Sequence, residues 1–320
     1  MARVLITGAT GFIGSHLARA CVVRGDDVTL VVRPSSDLAR VSDLSAQLQI
    51  HRVLLTDQPA MHACMKDAQP EVIFHLGART RFTKSQDLSD FATSIDDNLK
   101  TLLGIVSAAA TLPAPPSAFV RAGTIAEYGS VAPPYREDMR EAPNSAYGAS
   151  LLAGTQFLEA LRPRLPFATS TARLALTYGP GQSRDFLLPS LIHTCLNNEP
   201  FIVARPEDRR DLIHVSDVVS ALLRLADLEH AAPGLVNIGT GRAPTMRALA
   251  KLVINATGAS PDVIRFGDQE EDDVVELRID PTRQRQQLQW SPRIDLEEGV
   301  AMTVDDARAT RPNGTNRRSA

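Results

Sequence analysis

The stretch Thr7-Gly8-Ala9-Thr10-Gly11-Phe12-Ile13-Gly14 constrains this chain more than any other, because it joins a strand to a helix through three glycines. Arg3-Val4-Leu5-Ile6 before it is a short apolar run suited to a buried parallel strand, and Ser15-His16-Leu17-Ala18-Arg19-Ala20 after it reads as a helix. In such a turn Gly8 permits the tight bend, Gly11 lets backbone approach a pyrophosphate, and Gly14 allows close packing of helix on strand. The helix N-terminus adds unpaired N–H donors and the positive end of a dipole, both favourable to phosphate. A glycine triplet alone also fits an empty turn. Its position after a strand and at the opening of a helix is the context that a dinucleotide site requires. Thr10, Phe12 and Ile13 fall in the same turn and are expected beside the cofactor.

Apolar, β-branched runs alternate with Ala/Leu-rich stretches through the first half of the chain. Strands are expected at 3–7, 27–32, 50–55, 71–76, 118–122 and 168–176, and helices near 16–24, 37–47, 60–66, 95–111 and 145–162. This spacing implies right-handed βαβ crossovers. The expected fold is therefore α/β, a Rossmann-type doubly wound parallel sheet with its cofactor at the carboxyl ends of the strands. After about Tyr178, loops such as Gly179-Pro180-Gly181, Asn198-Glu199-Pro200 and Ala232-Pro233-Gly234 separate shorter elements. The expected organisation is a dinucleotide-binding domain over 1–177, rejoined at about 211–240, with a smaller C-terminal α/β substrate-binding lid from 178–210 and 241–307. Residues 308–320 are polar, with Pro312, Gly314 and four arginines, and read as a flexible tail.

Bulk properties exclude several classes. A net charge of −3 argues against a general nucleic-acid surface. No run approaches the ~20 apolar residues of a membrane span. Cys21, Cys64 and Cys195 lie far apart without CxxC or Cys/His spacing, so no disulfide or zinc framework is expected and a reducing, cytoplasmic setting is.

At the end of the second strand, Val32-Arg33-Pro34-Ser35-Ser36 carries no acidic residue. An Asp or Glu there would bind the adenosine ribose hydroxyls, whereas Arg33 with Ser35 and Ser36 offers a cation and hydroxyls for a 2′-phosphate. NADP is expected over NAD; an exposed arginine at a strand end is the plainer alternative. Ala122-Gly123-Thr124 ends the fifth strand, and Ser145-Ala146-Tyr147-Gly148-Ala149-Ser150 opens a long helix. A threonine hydroxyl and a tyrosine so placed can meet at one substrate oxygen, polarise a carbonyl and exchange a proton with it.

These segments resemble the extended short-chain dehydrogenase/reductase family, in its nucleotide-sugar epimerase, dehydratase and reductase branch. The likeness continues through Phe74-His75-Leu76-Gly77-Ala78, Arg173-Leu174, Tyr178-Gly179-Pro180-Gly181-Gln182, Arg209-Arg210-Asp211-Leu212-Ile213-His214-Val215-Ser216-Asp217-Val218, Asn237-Ile238-Gly239-Thr240-Gly241 and Leu288-Gln289-Trp290-Ser291-Pro292. The resemblance implies that Thr124 polarises the substrate, that Tyr147 is the general acid/base and touches the cofactor, and that Asn98 supports the site. It implies Leu55, Leu76, Gly77 and Ala78 at the cofactor, and Arg79, Leu176 and Arg210 at the substrate, with Arg210 on a nucleotide-sugar diphosphate. Pairing with Asp208 or Asp211 is the alternative for Arg210, and His214 and Asp217 are expected to be structural. A homodimer through a four-helix bundle is also implied, built from 98–111 and 147–161.

The chain departs from that pattern at four points. Leu151 stands where a lysine, one turn after the tyrosine, would lower its pKa and bind the nicotinamide ribose. Leu54 replaces an adenine-binding aspartate, Leu176 a substrate-contacting asparagine, and Glu270 a diphosphate arginine. An epimerase or dehydratase starts by oxidising a hydroxyl and needs a phenolate. An unperturbed tyrosine, pKa about 10, falls about three units short, roughly 4 kcal/mol. A ketone reductase needs the protonated phenol instead. Ile125 and Ala126 supply no acid for a dehydration, and Glu127 is expected to point to the other face if the strand continues. The leading expectation is an NADPH-dependent reductase of a keto-deoxy sugar nucleotide. The alternatives are an NAD-dependent epimerase or dehydratase without the lysine, and a weakly catalytic cofactor-binding sensor or partner subunit.

Overall fold

The computed structural model describes residues 1–270 and 273–311. In the first half, strands β1 (Arg3–Thr7), β2 (Asp27–Val32), β3 (Leu48–Arg52), β4 (Val72–His75), β5 (Ala118–Thr124) and β6 (Ala168–Leu174) alternate with helices α1 (Phe12–Arg24), α2 (Gln58–Ala68), α3 (Ser89–Ser94), α4 (Thr101–Ala110) and α5 (Ala146–Leu161). Then come the short strands β7 (Leu176–Tyr178), β8 (Phe201–Val203), β9 (Arg209–Arg210) and β10 (Leu212–His214), followed by β11 (Leu235–Ile238), β12 (Ile264–Phe266) and β13 (Glu276–Leu277). The later helices are α6 (Leu187–Asn197), α7 (Val215–Leu228), α8 (Met246–Thr257), α9 (Thr282–Gln287) and α10 (Leu296–Ala309).

Seven strands pair in the order β11-β6-β5-β4-β1-β2-β3. Every pairing is parallel. The order reverses between β1 and β4, the switch point where doubly wound sheets open a crevice. Period-two alternation divides the strands between two cores. Val4, Ile6, Val28, Leu30, Phe74 and Val120 face α1 and α7, whereas Leu5, Val31, Ile73 and Phe119 face α2 and α4. Strands apolar on both faces need helices on both, which fixes the three-layer arrangement. A third core, around Leu191, Leu249, Val253 and Val300, joins α6, α8 and α10. No helix of the described residues is long and apolar enough to cross a membrane.

Several elements differ from expectation. Residues 39–47 form only 3₁₀ turns, and β3 lies at Leu48–Arg52, earlier than expected, because it pairs Val28↔Leu48 through Val32↔Arg52. The helix expected across 95–111 contains a π turn, Ile95–Lys100, which carries Asn98 inward to 3% exposure. Ile105, Val106, Ala108 and Ala109 of α4 serve the monomer core, so the apolar face left exposed consists of Phe91 and Ile95 with Phe157 of α5. Helix α10 continues through Arg308 and Ala309, which had been assigned to the tail; residues 312–320 lie outside the described residues.

His75 ends β4 with its Nδ1 2.7 Å from the Thr7 hydroxyl. Burial, reinforced by the charge of Arg121, pushes its pKa down to about 3. The unfolded chain therefore binds a proton that the folded chain refuses, and stability present above about pH 6.5 is lost as pH falls toward 3. Thermal unfolding of the native chain should lose up to about 1.4 kcal/mol per pH unit from this group between pH 6.5 and 5. His75→Asn should flatten that slope; an equally steep slope in the variant contradicts the assignment.

Candidate active site

The crevice at the switch point begins at the β1–α1 turn. Gly8 adopts φ +75°, and a Cβ there would sit 2.6 Å from the backbone nitrogen of Gly77. A Cβ on Gly14 would strike the Gly8 carbonyl. The Gly11 N–H donates to Gly8 O at 3.0 Å, closing the turn, and no side chain caps α1. Its first N–H groups thus remain free for an anion. The turn has the tightness and the open donors that a dinucleotide's pyrophosphate requires.

A cleft of about 530 Å³ runs from this turn. Gly8, Thr10 and Gly11 form its floor, and Arg33 and Ser36 its wall after β2. Leu54, Leu55 and Thr56 line it after β3, and Leu76, Gly77, Ala78 and Arg79 after β4. Asp97 and Thr101 close it from the helical side. Phe12, Ile13 and Gly14 stand behind the turn: Phe12 meets His16 edge-on, Ile13 packs on the core and Gly14 is buried. Ser35 is exposed beside the cleft and absent from its lining. Sequence reasoning missed Arg52, whose Nη1 donates to Pro34 O at 2.8 Å and Ser36 O at 3.3 Å. Its signal lies in the β2–β3 register, which sets Arg52 opposite Val32 and hence beside Arg33.

Asn98 is tied to the first turn of α5 through Ser150, and the turn after Thr124 packs on that same turn at Gly148; the lining of the cleft includes none of Thr124, Tyr147 and Asn98. The Thr124 Oγ accepts from Ala126 N at 3.2 Å, and Ser145 caps α5 by accepting from Gly148 N at 3.1 Å, which fixes the turn that carries Tyr147. The Asn98 Oδ1 accepts from Arg79 N at 2.8 Å, while its Nδ2 donates to Arg79 O at 3.1 Å and to Ser150 Oγ at 2.9 Å. One asparagine thereby joins the loop after β4 to the helix of Tyr147. Tyr147 is half-buried with its phenol end enclosed. Burial raises its pKa above the ordinary tyrosine value and Glu127 adds to the rise, while the Thr124 hydroxyl and Arg121 oppose it. Leu151, one turn on, is buried and brings no charge.

Glu127 does not point to the far face. The strand stops at Thr124, and a 3₁₀ turn brings Glu127 back, fully buried, to accept from Thr124 N at 3.0 Å. Its Oε2 accepts from Arg173 Nε at 2.7 Å and from Thr155 Oγ1 at 2.8 Å. Burial pushes the pKa of Arg121, also buried, down. The sequence held a signal for this turn: Thr124-Ile125-Ala126-Glu127 is a capping-box pattern.

The expected substrate residues are less gathered. Arg79 is exposed, pairs with Asp97 at 3.2 Å and lies over Phe82. Leu176 packs on the cluster of Ile125, Tyr128, Tyr135 and Ile279. Arg210, expected at a diphosphate or paired with Asp208 or Asp211, donates from Nη2 to Asp208 at 2.7 Å and from Nη1 to Arg209 O and Val275 O. Burial opposes ionisation of Asp208, but hydrogen bonds from Arg205, Val275 N and Gln269 and the charge of Arg210 hold its pKa at about 2. Glu270 is exposed. Asp217 accepts from Arg293 N and Ile294 N, and His214 Nδ1 from Ser216 N.

Gly8→Ala forces a left-handed backbone on a residue with a Cβ and presses it on Gly77. Titration calorimetry should find dinucleotide affinity reduced about tenfold or more, the equivalent of ~1.4 kcal/mol. Unchanged affinity contradicts the assignment of the turn.

A model of the NAD dependent epimerase/dehydratase family matches residues 4–239. The UDP-glucose 4-epimerase of Mycolicibacterium smegmatis is 29% identical over 310 residues, covering 95% of this chain and 97% of that protein. The crystal structure of UDP-glucose 4-epimerase from Thermotoga maritima with UDP-glucose matches with a TM-score of 0.85 at 26% identity, over 96% of this chain and 99% of that one. MoeE5, in complex with UDP-glucuronic acid and NAD, matches with a TM-score of 0.81 at 29% identity, over 96% and 99%.

Proposed function

This chain belongs to the NAD dependent epimerase/dehydratase family, and from that premise we propose that it is an NADPH-dependent reductase of a keto-deoxy sugar carried on a nucleoside diphosphate. The observation that carries the reading is the Tyr147 phenol, enclosed beside Glu127 with its pKa raised and no ammonium at position 151. A phenol in that state holds its proton at neutral pH. It donates to an alkoxide readily and takes a proton from an alcohol poorly.

The cofactor, when bound, supplies the hydride for the carbonyl carbon. The Thr124 hydroxyl holds the substrate oxygen, and the Tyr147 hydroxyl gives that oxygen its proton. Asn98 keeps the loop of Arg79 in register with the first turns of α5. Arg33 and Ser36, with Arg52 behind them and no carboxylate at the end of β2, favour a 2′-phosphate and hence NADPH. Arg79, at the cleft's rim, is the cation most open to a substrate diphosphate, since Arg210 is committed to Asp208. Phe91, Ile95 and Phe157 offer the apolar surface for a homodimer.

A second reading, an NAD-dependent 4-epimerase, is favoured by the full-length similarity to UDP-glucose 4-epimerases. Dehydration is less favoured, because Ile125 and Ala126 carry no acid and Glu127 is spent on Arg173. Assays of purified protein with nucleoside-diphosphate 4-keto-6-deoxy sugars separate the readings. The reductase consumes NADPH mole for mole, prefers it to NADH, and loses about a hundredfold or more in rate in Tyr147→Phe. Conversion of a 4-hydroxy sugar nucleotide with no added NADPH, or a fully active Tyr147→Phe, contradicts the proposal.

A further inference from the structure

Arg121 is out of place on apolar grounds. It follows Phe119 at period two on β5, where the alternation calls for another hydrophobic residue facing α4 and α5, and it is 2% exposed. Its Nη2 donates to Leu151 O at 2.8 Å, the carbonyl of the residue that lacks the ammonium. Its Nη1 donates to Thr155 Oγ1 at 3.0 Å, and that hydroxyl donates to Glu127 Oε2. Glu127 Oε1 in turn accepts from Thr124 N. One hydrogen-bonded chain therefore runs from β5, under the second turn of α5, to the backbone of Thr124.

Two glycines make room for it. A Cβ on Gly154 would lie 2.7 Å from Arg121 Nη2, and one on Gly123 2.6 Å from Glu127 Oε1. Buried charges persist where they are hydrogen-bonded. The Arg121 guanidinium and the Glu127 carboxylate are joined through Thr155 Oγ1 beneath the helix that carries Tyr147, and the ion pair of Glu127 is with Arg173.

We propose that Arg121 and Glu127 are positioning residues for the Tyr147 phenol: Arg121 delivers through the floor of α5 the positive charge that Leu151 does not supply, and Glu127, paired with Arg173 and bridged to Arg121 by Thr155, offsets part of it. The inference deepens the reading in which Tyr147 gives a proton to substrate, and rests on it. Arg121 favours the ionised phenol and Glu127 disfavours it, so the pair brackets the phenol's titration from both sides. Of the other charges near α5, Arg173 is held by Glu127 and Glu141, Arg79 by Asp97 and Lys100 by Asp96. Asp90 accepts from Ser85, Arg162 donates to Ala232 O, Arg164 is exposed, and buried His75, with its pKa pushed down to about 3, is neutral. In the reductive direction the phenolate left after proton donation is then met by a fixed guanidinium until solvent reprotonates it.

The test is the ultraviolet titration of tyrosinate in the full-length protein without substrate or cofactor, each variant read against the same variant carrying Tyr147→Phe. Arg121→Met should raise the titration of Tyr147 by about one pH unit, Glu127→Gln should lower it by a similar amount, and Arg121→Lys should return it close to native. A network that only braces the fold would lower the melting temperature in all three and leave the titration unmoved, and that result overturns the proposal. Glu127→Gln keeps the bond to Thr124 N but gives up the acceptor for Arg173 Nε and Thr155 Oγ1. If Arg121→Met does not fold, Arg121→Gln therefore replaces it with the same expected upward shift, and an unmoved titration overturns the proposal. Because no substrate is present, failure of this titration and failure of the reductase assay are separate outcomes.

Discussion

The surroundings of the Tyr147 phenol, set by burial, the Thr124 hydroxyl and Glu127, organise what this molecule can do, and they survive because two independent turns are pinned. The end of β5 is fixed by the capping box in which Thr124 and Glu127 satisfy each other's groups. The start of α5 is fixed by Ser145 and by the bond from Asn98 to Ser150. A phenol held against a hydroxyl in an enclosed site, with a carboxylate nearby and no ammonium in the helix, has its proton affinity set by surroundings. The direction of chemistry follows from that affinity more than from the fold.

The fold itself is shared widely. Its sheet order and β1–α1 turn place a cleft at the β1/β4 reversal whatever the reaction. In this chain Leu151 places no charge one turn beyond Tyr147, Arg121 lies buried beneath that helix, and Arg33 and Arg52 stand together after β2 and at the end of β3. Solved structures of the same architecture are complexes with UDP-glucose, and with UDP-glucuronic acid and NAD.

The sequence made local constraints legible and left distant ones hidden. The three glycines at 8, 11 and 14 act within one turn, and the strands β1 and β2 stand where their apolar runs end. Thr124 and Tyr147 were readable as a pair because each sits at an element boundary. The direction of Glu127 turned on whether the strand continued; it stops at Thr124, and the Thr-x-x-Glu cap turns Glu127 back. Arg210 was readable as a diphosphate ligand or as a partner of Asp208; that pairing is present, and Gln269 and Val275 N, some 60 residues on, hold Asp208 through contacts no local pattern reports. The π turn that carries Asn98 inward, and the charge of Arg121 at a core position, depend on what packs against them.

The most direct measurement is the pH dependence of the proposed reduction of a 4-keto-6-deoxy nucleotide sugar by the native protein. With the phenol as proton donor, the rate stays level through neutrality and declines only at about pH 10 or above, as Tyr147 ionises. A rate that instead climbs with pH through neutrality would mean that the ionised phenol is the working form, and the account would be wrong.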